Sequence, residues 1–426
     1  MKRALPVIVL CMLAAAAACA DSSAEPRPRD DRDASVQVPE PDAGLSPEAS
    51  ADATTDAPHD AGPRPTCNEE GWCLVSLPDP QVLGVKNFRV IGLAMDAPGK
   101  LWAATNSFPL GEGLDTSHLL RYDNGTWTAA YGIGPQQAGP FEYTLRAFAG
   151  NGAGSFMAVG ESSSWEVWPK PAIVLRVEGG KIIEEHPEGL IGLAAVAFTN
   201  ATDAYALDND GRVYKTTIGG AGPLVWTEME VPHPAGQGGF PRGPRALFAS
   251  TDGKLILSGE DNSKFEFPPP KYLDRQTDDG RWVTTLLPDS YFDVTAGVSV
   301  APDALWVAGA YFIGATALPM HAPDAGEPDA GEPDAGQPAW STAPSPYPDL
   351  IMRSLWARSP SDVWAAGYVG RIFHFDGTTW SDAKPALLGM PMTIEWLSAI
   401  TGWPATGEVW VGGESVVMHY TPKGTP

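Results

Sequence analysis

The sequence predicts an all-β fold, a seven-bladed β-propeller closed by an N-terminal strand that completes the last blade. Three observations predict it. The 426 residues hold 15 Trp beside 46 Gly and 42 Pro, the composition of many short strands joined by tight turns. A unit of four strand-like segments repeats along the chain and is clearest between Ser354 and Trp380. The series also closes on itself, because the strand missing at the C-terminal end has a counterpart near the N-terminus.

Within the unit from Ser354 to Trp380, Pro-Ser-Asp, Val-Gly and Asp-Gly separate the strands, and each is a turn-forming sequence. The second strand recurs seven times: Leu101 to Ala103, Phe156 to Gly160, Ala204 to Leu207, Leu255 to Gly259, Leu305 to Gly309, Val363-Trp364 and Val409-Trp410. The fourth strand, a turn followed by a large residue, recurs six times, at Trp127, Ile182, Trp226, Trp282, Trp340 and Trp380. No seventh follows Tyr420. Glu70 to Pro78 has the pattern of Asp279 to Pro288, which places the strand around Trp72 on the C-terminal hairpin. An open ring would leave one blade with an exposed edge and a half-buried face. The repeated tryptophans read as packing between blades, where large aromatics fill the wedge between twisted sheets.

Ahead of the propeller, Met1-Lys2-Arg3 precedes an apolar run from Leu5 to Ala18 that is too short to span a membrane. The run closes on Ala16-Ala17-Ala18-Cys19, which resembles the lipobox of bacterial lipoproteins, with Ala16 where that pattern prefers Leu. The resemblance implies that residues 1–18 leave as a signal peptide and that Cys19 carries acyl chains such as palmitate, anchoring the protein to a membrane. An ordinary cleaved signal with a chance cysteine is the alternative. Ala20, standing where Asp would retain a lipoprotein, implies the outer membrane, facing the periplasm or the surface. Residues 19–66 are rich in Pro, Asp, Ala and Ser and predict a disordered acidic tether, with the propeller over 67–426. A low-complexity acidic loop, 323–337, is inserted in blade 5, with Pro-Asp-Ala-Gly starting at 323, 328 and 333. Its aspartates stand singly, without the dense oxygen ligands of a calcium loop, so it reads as a solvated spacer.

Once Cys11 has left with the signal and Cys19 is acylated, Cys67 and Cys73 remain in an oxidising compartment. A disulfide is expected there, with free thiols the alternative; without a nearby histidine they make a poor zinc site. The net charge of −24 excludes nucleic acid as a partner. No Gly-rich phosphate loop, His-Glu-x-x-His motif or Ser-His-Asp set occurs, so no cofactor, metal or catalytic residue is assigned. His321, His374 and His419 share a third-strand position with Arg121, Arg176 and Lys215 of other blades. Equivalent residues lie far apart around a ring, so these form a polar outer stripe rather than a metal site.

The mouth of the axial channel collects the entries to first strands and the ends of second strands. Arg146, Arg245 and Arg353 stand at the entries in alternate blades, and Glu161, Glu260 and Glu414 end second strands directly after glycine. Two readings apply. Three arginines around one mouth suit a carboxylate or phosphate ligand. Alternatively, the shared spacing of fifteen makes Arg146–Glu161 and Arg245–Glu260 cross-strand ion pairs and Arg353–Tyr368 a cation–aromatic contact.

Asp362-Val363-Trp364-Ala365-Ala366-Gly367 and His374-Phe375-Asp376-Gly377, followed by Trp380, resemble the tandem repeats of propeller lipoproteins exported by soil bacteria. They are loosely similar to sialidase-like and assembly-factor propellers. The resemblance implies architecture rather than activity. The sialidase Asp-box, Ser-x-Asp-x-Gly-x-x-Trp, is absent, Thr277 to Trp282 approximating it with different spacing, and no Tyr/Glu nucleophile pair stands out. The expectation is a monomeric, membrane-tethered envelope protein that binds a protein, peptide or glycan and is more binder than enzyme. The alternatives are a hydrolase or lyase acting on an acidic sugar at the channel mouth, and an assembly factor for an envelope complex.

Overall fold

The computed structural model describes residues 66–109, 116–133, 143–164, 166, 168–220, 222–232, 243–260, 270–288, 292–302, 304–310, 312–317, 340–342, 351–383 and 396–423. All of them belong to one compact unit, Asp60–Pro426. The signal peptide, Cys19, the tether up to residue 65, the 323–337 loop and His321 lie outside the described residues.

Seven antiparallel sheets follow one another along the chain. Blade 1 comprises Val85–Ala97, Lys100–Pro109, Thr116–Asp123 and Thr126–Ile133, and blade 2 comprises Tyr143–Gly150, Phe156–Ser162, Ala172–Glu178 and Lys181–Glu185. Blade 3 is Leu193–Phe198, Asp203–Asp208, Val213–Thr217 and Thr227–Glu228; blade 4 is Gly243–Ala249, Leu255–Glu260, Lys271–Gln276 and Trp282–Leu286. Blade 5 is Phe292–Ala301, Ala304–Ala310, Phe312–Ala317 and Trp340–Thr342; blade 6 is Met352–Ser359, Asp362–Gly367, Ile372–Phe375 and Trp380–Asp382. Blade 7 combines Leu397–Trp403, Glu408–Gly413 and Val417–Tyr420 with the N-terminal strand Trp72–Leu74.

Ring closure is as the sequence predicts: Trp72 pairs with Tyr420, Cys73 with His419 and Leu74 with Met418. A fifth strand, Thr66–Cys67, lies outside Trp72–Leu74, so strand pairing begins one residue before the expected boundary. Blade 7 is also stitched to blade 1 by the backbone bond from Ser415 N–H to the Phe88 carbonyl, 2.6 Å, and by Glu408, which accepts from Gly99 N–H at 3.1 Å.

The second strands explain how the core forms. Phe156–Ser162 and Glu408–Gly413 are buried along their whole length because both faces of each blade pack on neighbours. Such strands read as continuous small and apolar runs instead of alternating. A hydrophobic cluster fills each of the seven junctions between blades, for example Trp102, Leu145, Phe156 and Ile173 between blades 1 and 2. Trp72 joins Trp364, Ile400 and Val411 in the cluster between blades 6 and 7, so the closing strand contributes core as well as backbone pairing.

The conserved spacing within units has a further product between second and third strands. The residues facing Trp102, Met157, Tyr205, Ile256, Trp306, Trp364 and Trp410 are Arg121, Arg176, Lys215, Arg275, Ala315, His374 and His419. Blade 5 therefore holds Ala315 where the sequence reading expects His321; its third strand follows the second after a single intervening residue. In blade 6, His374 stacks on Trp364 with centroids 4.1 Å apart, and Asp362 Oδ1 accepts from both His374 Nε2 and Trp364 Nε1 at 2.9 Å. Blade 7 repeats this with His419 on Trp410 at 4.1 Å, and Glu408 accepting from Trp410 at 2.7 Å. Burial, the largest single influence, disfavours the charged form of Asp362 and Glu408. The hydrogen bonds from His374 and Trp364, and from His419 and Trp410, with the charges nearby, together outweigh it and hold both carboxyls below their usual range.

Candidate functional site

Each of the seven first strands carries a β-bulge at the same place, leaving one residue unpaired against the second strand. The unpaired residues are Ile91, Arg146, Ala194, Arg245, Thr295, Arg353 and Ser398, in blade order. A bulge breaks strand alternation and re-aims its side chain. All seven residues line one axial cavity of about 590 Å³, so the bulges convert a repeated backbone feature into a ring of side chains around the axis.

A glycine at or near the end of the second strand in several units lets the first strand approach closely beside the bulge. A Cβ on Gly160 would lie 2.1 Å from the Thr144 carbonyl oxygen, and one on Gly367 would lie 2.2 Å from that of Ile351. The first strand crosses these positions in backbone contact, which only glycine permits. The ring is then tied blade to blade. Thr295 Oγ1 donates to the Met352 carbonyl at 2.5 Å, Ser398 Oγ to that of Val90, and Asn106 Nδ2 to that of Leu145 at 2.8 Å. Each acceptor directly precedes the bulged residue of the next blade.

The candidate residues fall into two groups. Arg146, Arg245 and Arg353 line the cavity, whereas Glu161, Glu260, Glu414 and Tyr368 stand outside its lining. Arg146 Nη2 meets Glu161 Oε1 at 2.5 Å, and Arg245 Nη2 meets Glu260 Oε2 at 3.5 Å. Glu161 is 4% exposed and also accepts from Asn209 of blade 3, with Lys170 at 3.7 Å. The guanidinium of Arg146 stays half exposed in front of it. The cross-strand pairs and the anion-binding reading are therefore compatible: Glu161 and Glu260 stand outside the lining and pair with Arg146 and Arg245, which border the cavity.

Arg353 differs from the sequence reading. The ring beneath its guanidinium is Trp396 of the next blade, 4.6 Å to the centroid, and Tyr368 meets the same indole edge-on at 5.0 Å. The bulge turns Arg353 toward the axis, where Trp396 enters the first strand of blade 7. A fourth arginine, Arg89, also lines the cavity and stands 5.9 Å from the Trp396 centroid. Glu414 forms a backbone bridge with Arg89, and its Oε1 accepts from Asn87 at 3.2 Å. Arg89 lies two residues before the bulge position of blade 1 and Trp396 two before that of blade 7, so neither shares the repeat position of the three arginines. An aromatic directly before a first strand was the available signal for Trp396.

The turn that presents Tyr368 is strained. Val369 adopts φ 59°, ψ 31°, a left-handed conformation disfavoured for a β-branched residue. Tyr368 is 37% exposed, and Trp168, in the corresponding loop of blade 2, is 84% exposed. Exposed aromatics thus occur in loops on the same end of the propeller as the arginines. Away from the mouth, Cys67 and Cys73 face each other across the outermost strand pair and are joined as a disulfide. Among the described residues, no group of three or more His, Cys, Asp or Glu is placed to hold a metal ion.

No protein-family model and no curated protein matches the sequence. Among solved structures, the chain is similar to YCF48 bound to a D1 peptide, at 14% identity and a TM-score of 0.52, over 84% of this chain and 99% of that one. It is similar to YCF48 from Cyanidioschyzon merolae at 15% identity and a TM-score of 0.53, covering 83% and 99% of the two chains. A catalytically inactive virginiamycin B lyase from Staphylococcus aureus, with quinupristin, aligns at 12% identity and a TM-score of 0.55, over 82% and 98%. At these identities the likeness shows the seven-bladed propeller fold and nothing more specific.

Proposed function

We propose that this chain is a lipid-anchored outer-membrane protein whose propeller binds an acidic segment of a protein or glycan at the arginine-lined mouth. One observation carries the reading. Four arginines line the axial cavity, and none of its described lining residues is acidic. Guanidinium groups held in place by glutamates or an indole are prepared for carboxylates or phosphates, with little ordering entropy left to lose. YCF48, one of the similar folds, is seen with a peptide, which supports a peptide-binding use of this architecture. The described lining also carries no His, Cys, Asp, Glu, Lys or Tyr to transfer protons, which supports binding over a hydrolase or lyase acting on an acidic sugar.

Calorimetric titration of the protein with hexaglutamate and with oligogalacturonate tests this. Saturable binding that weakens with salt, and falls at least about tenfold in an Arg146→Gln, Arg245→Gln double variant, is expected. Indifference of the double variant defeats the reading, and turnover of the oligogalacturonate restores the enzyme alternative. The anchor has its own test: labelled palmitate incorporates into the wild-type chain and not into Cys19→Ser.

A further inference from the structure

A second site lies on the opposite end of the propeller, in the cleft between blades 1 and 2, and the comparison among blades exposes it. Basic third-strand side chains face second strands in six blades, and five have a carboxylate within 3.3 Å. Arg176 meets Glu185 at 2.6 Å and Glu178 at 2.8 Å, Lys215 meets Asp203 at 2.9 Å, and Arg275 meets Asp252 at 2.7 Å. His374 and His419 meet Asp362 and Glu408 at 2.9 and 3.3 Å. Arg121 is the exception. Its ion-pair partner among the described residues is Asp123 at 3.7 Å, which Lys100 shares at 3.6 Å.

The sequence supplies the cause. Blades 3, 6 and 7 place Asp203, Asp362 and Glu408 two residues before the second-strand aromatic, whereas blade 1 has Lys100 there, before Trp102. The acid that would hold the third-strand cation is replaced by a base. Arg121 Nε is buried without a hydrogen-bond partner. A buried donor left unmade costs more than an ordinary hydrogen bond gains, so its retention calls for an acceptor.

Space for one is present. Arg121 borders a cleft of about 480 Å³ with Trp102 beneath and the tight turns at Ala153–Ser155 and Gly179–Gly180 around it. A Cβ on Gly179 or Gly180 would meet nothing within 4 Å, so the turn leaves the cleft open. Asp96 lines the same cleft and is exposed, with Gly154 packed against its carboxylate. One cleft therefore presents a guanidinium whose Nε–H lacks an acceptor and a carboxylate of opposite charge.

We infer that this cleft binds a small zwitterion of the amino-acid class, its carboxylate on Arg121 and its ammonium on Asp96. A simple anion would meet repulsion from Asp96, and a simple amine would meet it from Arg121 and Lys100. The site is separate from the axial mouth and does not depend on what that mouth binds.

The test uses the full chain in detergent with ¹⁵N-labelled arginine, following side-chain Nε–H resonances by NMR. The Arg121 signal is the one lost in Arg121→Lys. Triglycine and glycine are titrated, with acetate, methylammonium and N-acetyl-triglycine amide as controls. A saturable shift of that signal by triglycine or glycine is expected, with acetate at least about tenfold weaker. Asp96→Asn, an exposed change that leaves the fold intact, is expected to bring the zwitterion down to the level of acetate. A stronger response to glycine assigns a free amino acid, and a stronger response to triglycine assigns a short peptide. No shift with either, an equal shift with acetate or the doubly blocked peptide, or an Asp96→Asn variant that binds as wild type overturns the inference.

Discussion

Two sets of repeated positions in this propeller behave in opposite ways. Between second and third strands, an acid, an aromatic and a basic side chain recur in blades 3, 6 and 7, and their polar groups meet one another within the blade. Around the axis, the bulge recurs in every blade but its side chain does not: isoleucine, arginine, alanine, arginine, threonine, arginine and serine follow in turn. The first set is similar chemistry whose polar groups satisfy one another, and it holds the sheets together. The second is a constant backbone device carrying variable chemistry toward an open cavity. Repetition with self-satisfied partners marks scaffold, and repetition with divergent side chains marks a surface free to specialise.

Substitutions break this contrast where it is strongest. Trp410→Ala removes a fully buried indole, its stacking on His419 and its bond to Glu408, and is expected to cost about 4 kcal/mol in urea unfolding. A loss below about 1 kcal/mol would mean that the outer sets do not hold the blades.

The next effect is pH-dependent and also belongs to the scaffold. Burial holds His118 at a pKa of about 4, against 6.5 in the open chain, with Phe88 edge-on at 5.6 Å and Ser107 Oγ 3.3 Å from Nδ1. Between those values the unfolded chain binds more protons. Stability is therefore intact above pH about 6.5 and falls by about 3 kcal/mol as pH drops to about 4. Thermal melts across this range should flatten in His118→Gln. An unchanged slope would place the titrating group elsewhere. The depressed carboxyls of Asp362 and Glu408 act lower, their contribution present above the ordinary carboxylate range and lost as pH falls through their folded values.

The disulfide should matter less. Replacing Cys67 and Cys73 by serine opens a short loop at the closing edge and is expected to cost about 2 kcal/mol, read as a lower midpoint in guanidinium. Full disassembly would show that closure depends on the cross-link more than on the Trp72–Tyr420 pairing. Arg245→Gln should change stability least, by under about 1 kcal/mol, because its bond to Glu260 is solvent-facing at 3.5 Å. The same variant should weaken hexaglutamate binding. If it destabilised the protein as much as Trp410→Ala, the division between scaffold and site would collapse.

Much of the architecture was legible because its signals are local. Trp127, Trp282, Trp340 and Trp380 fall in or open fourth strands, as expected from a turn followed by a large residue. Where an insertion intervenes, the reading slips: His321 was aligned with His374, but the third strand of blade 5 had already passed at Phe312–Ala317. At the mouth, the spacing of fifteen led correctly from Arg146 to Glu161 and from Arg245 to Glu260. It could not reach Trp396 beneath Arg353, because that indole belongs to another blade.

The chain alone determined the number of blades, their order and the strand that seals the ring. Turn residues, buried apolar runs and a displaced final strand are written locally and repeat often enough to be counted. Tertiary structure decided which side chains reach the axis and which guanidinium keeps a buried donor without an acceptor. A bulge is a mismatch between two paired strands, and a missing partner is a fact about neighbours in space. Neither exists until the sheets have formed and packed around one another.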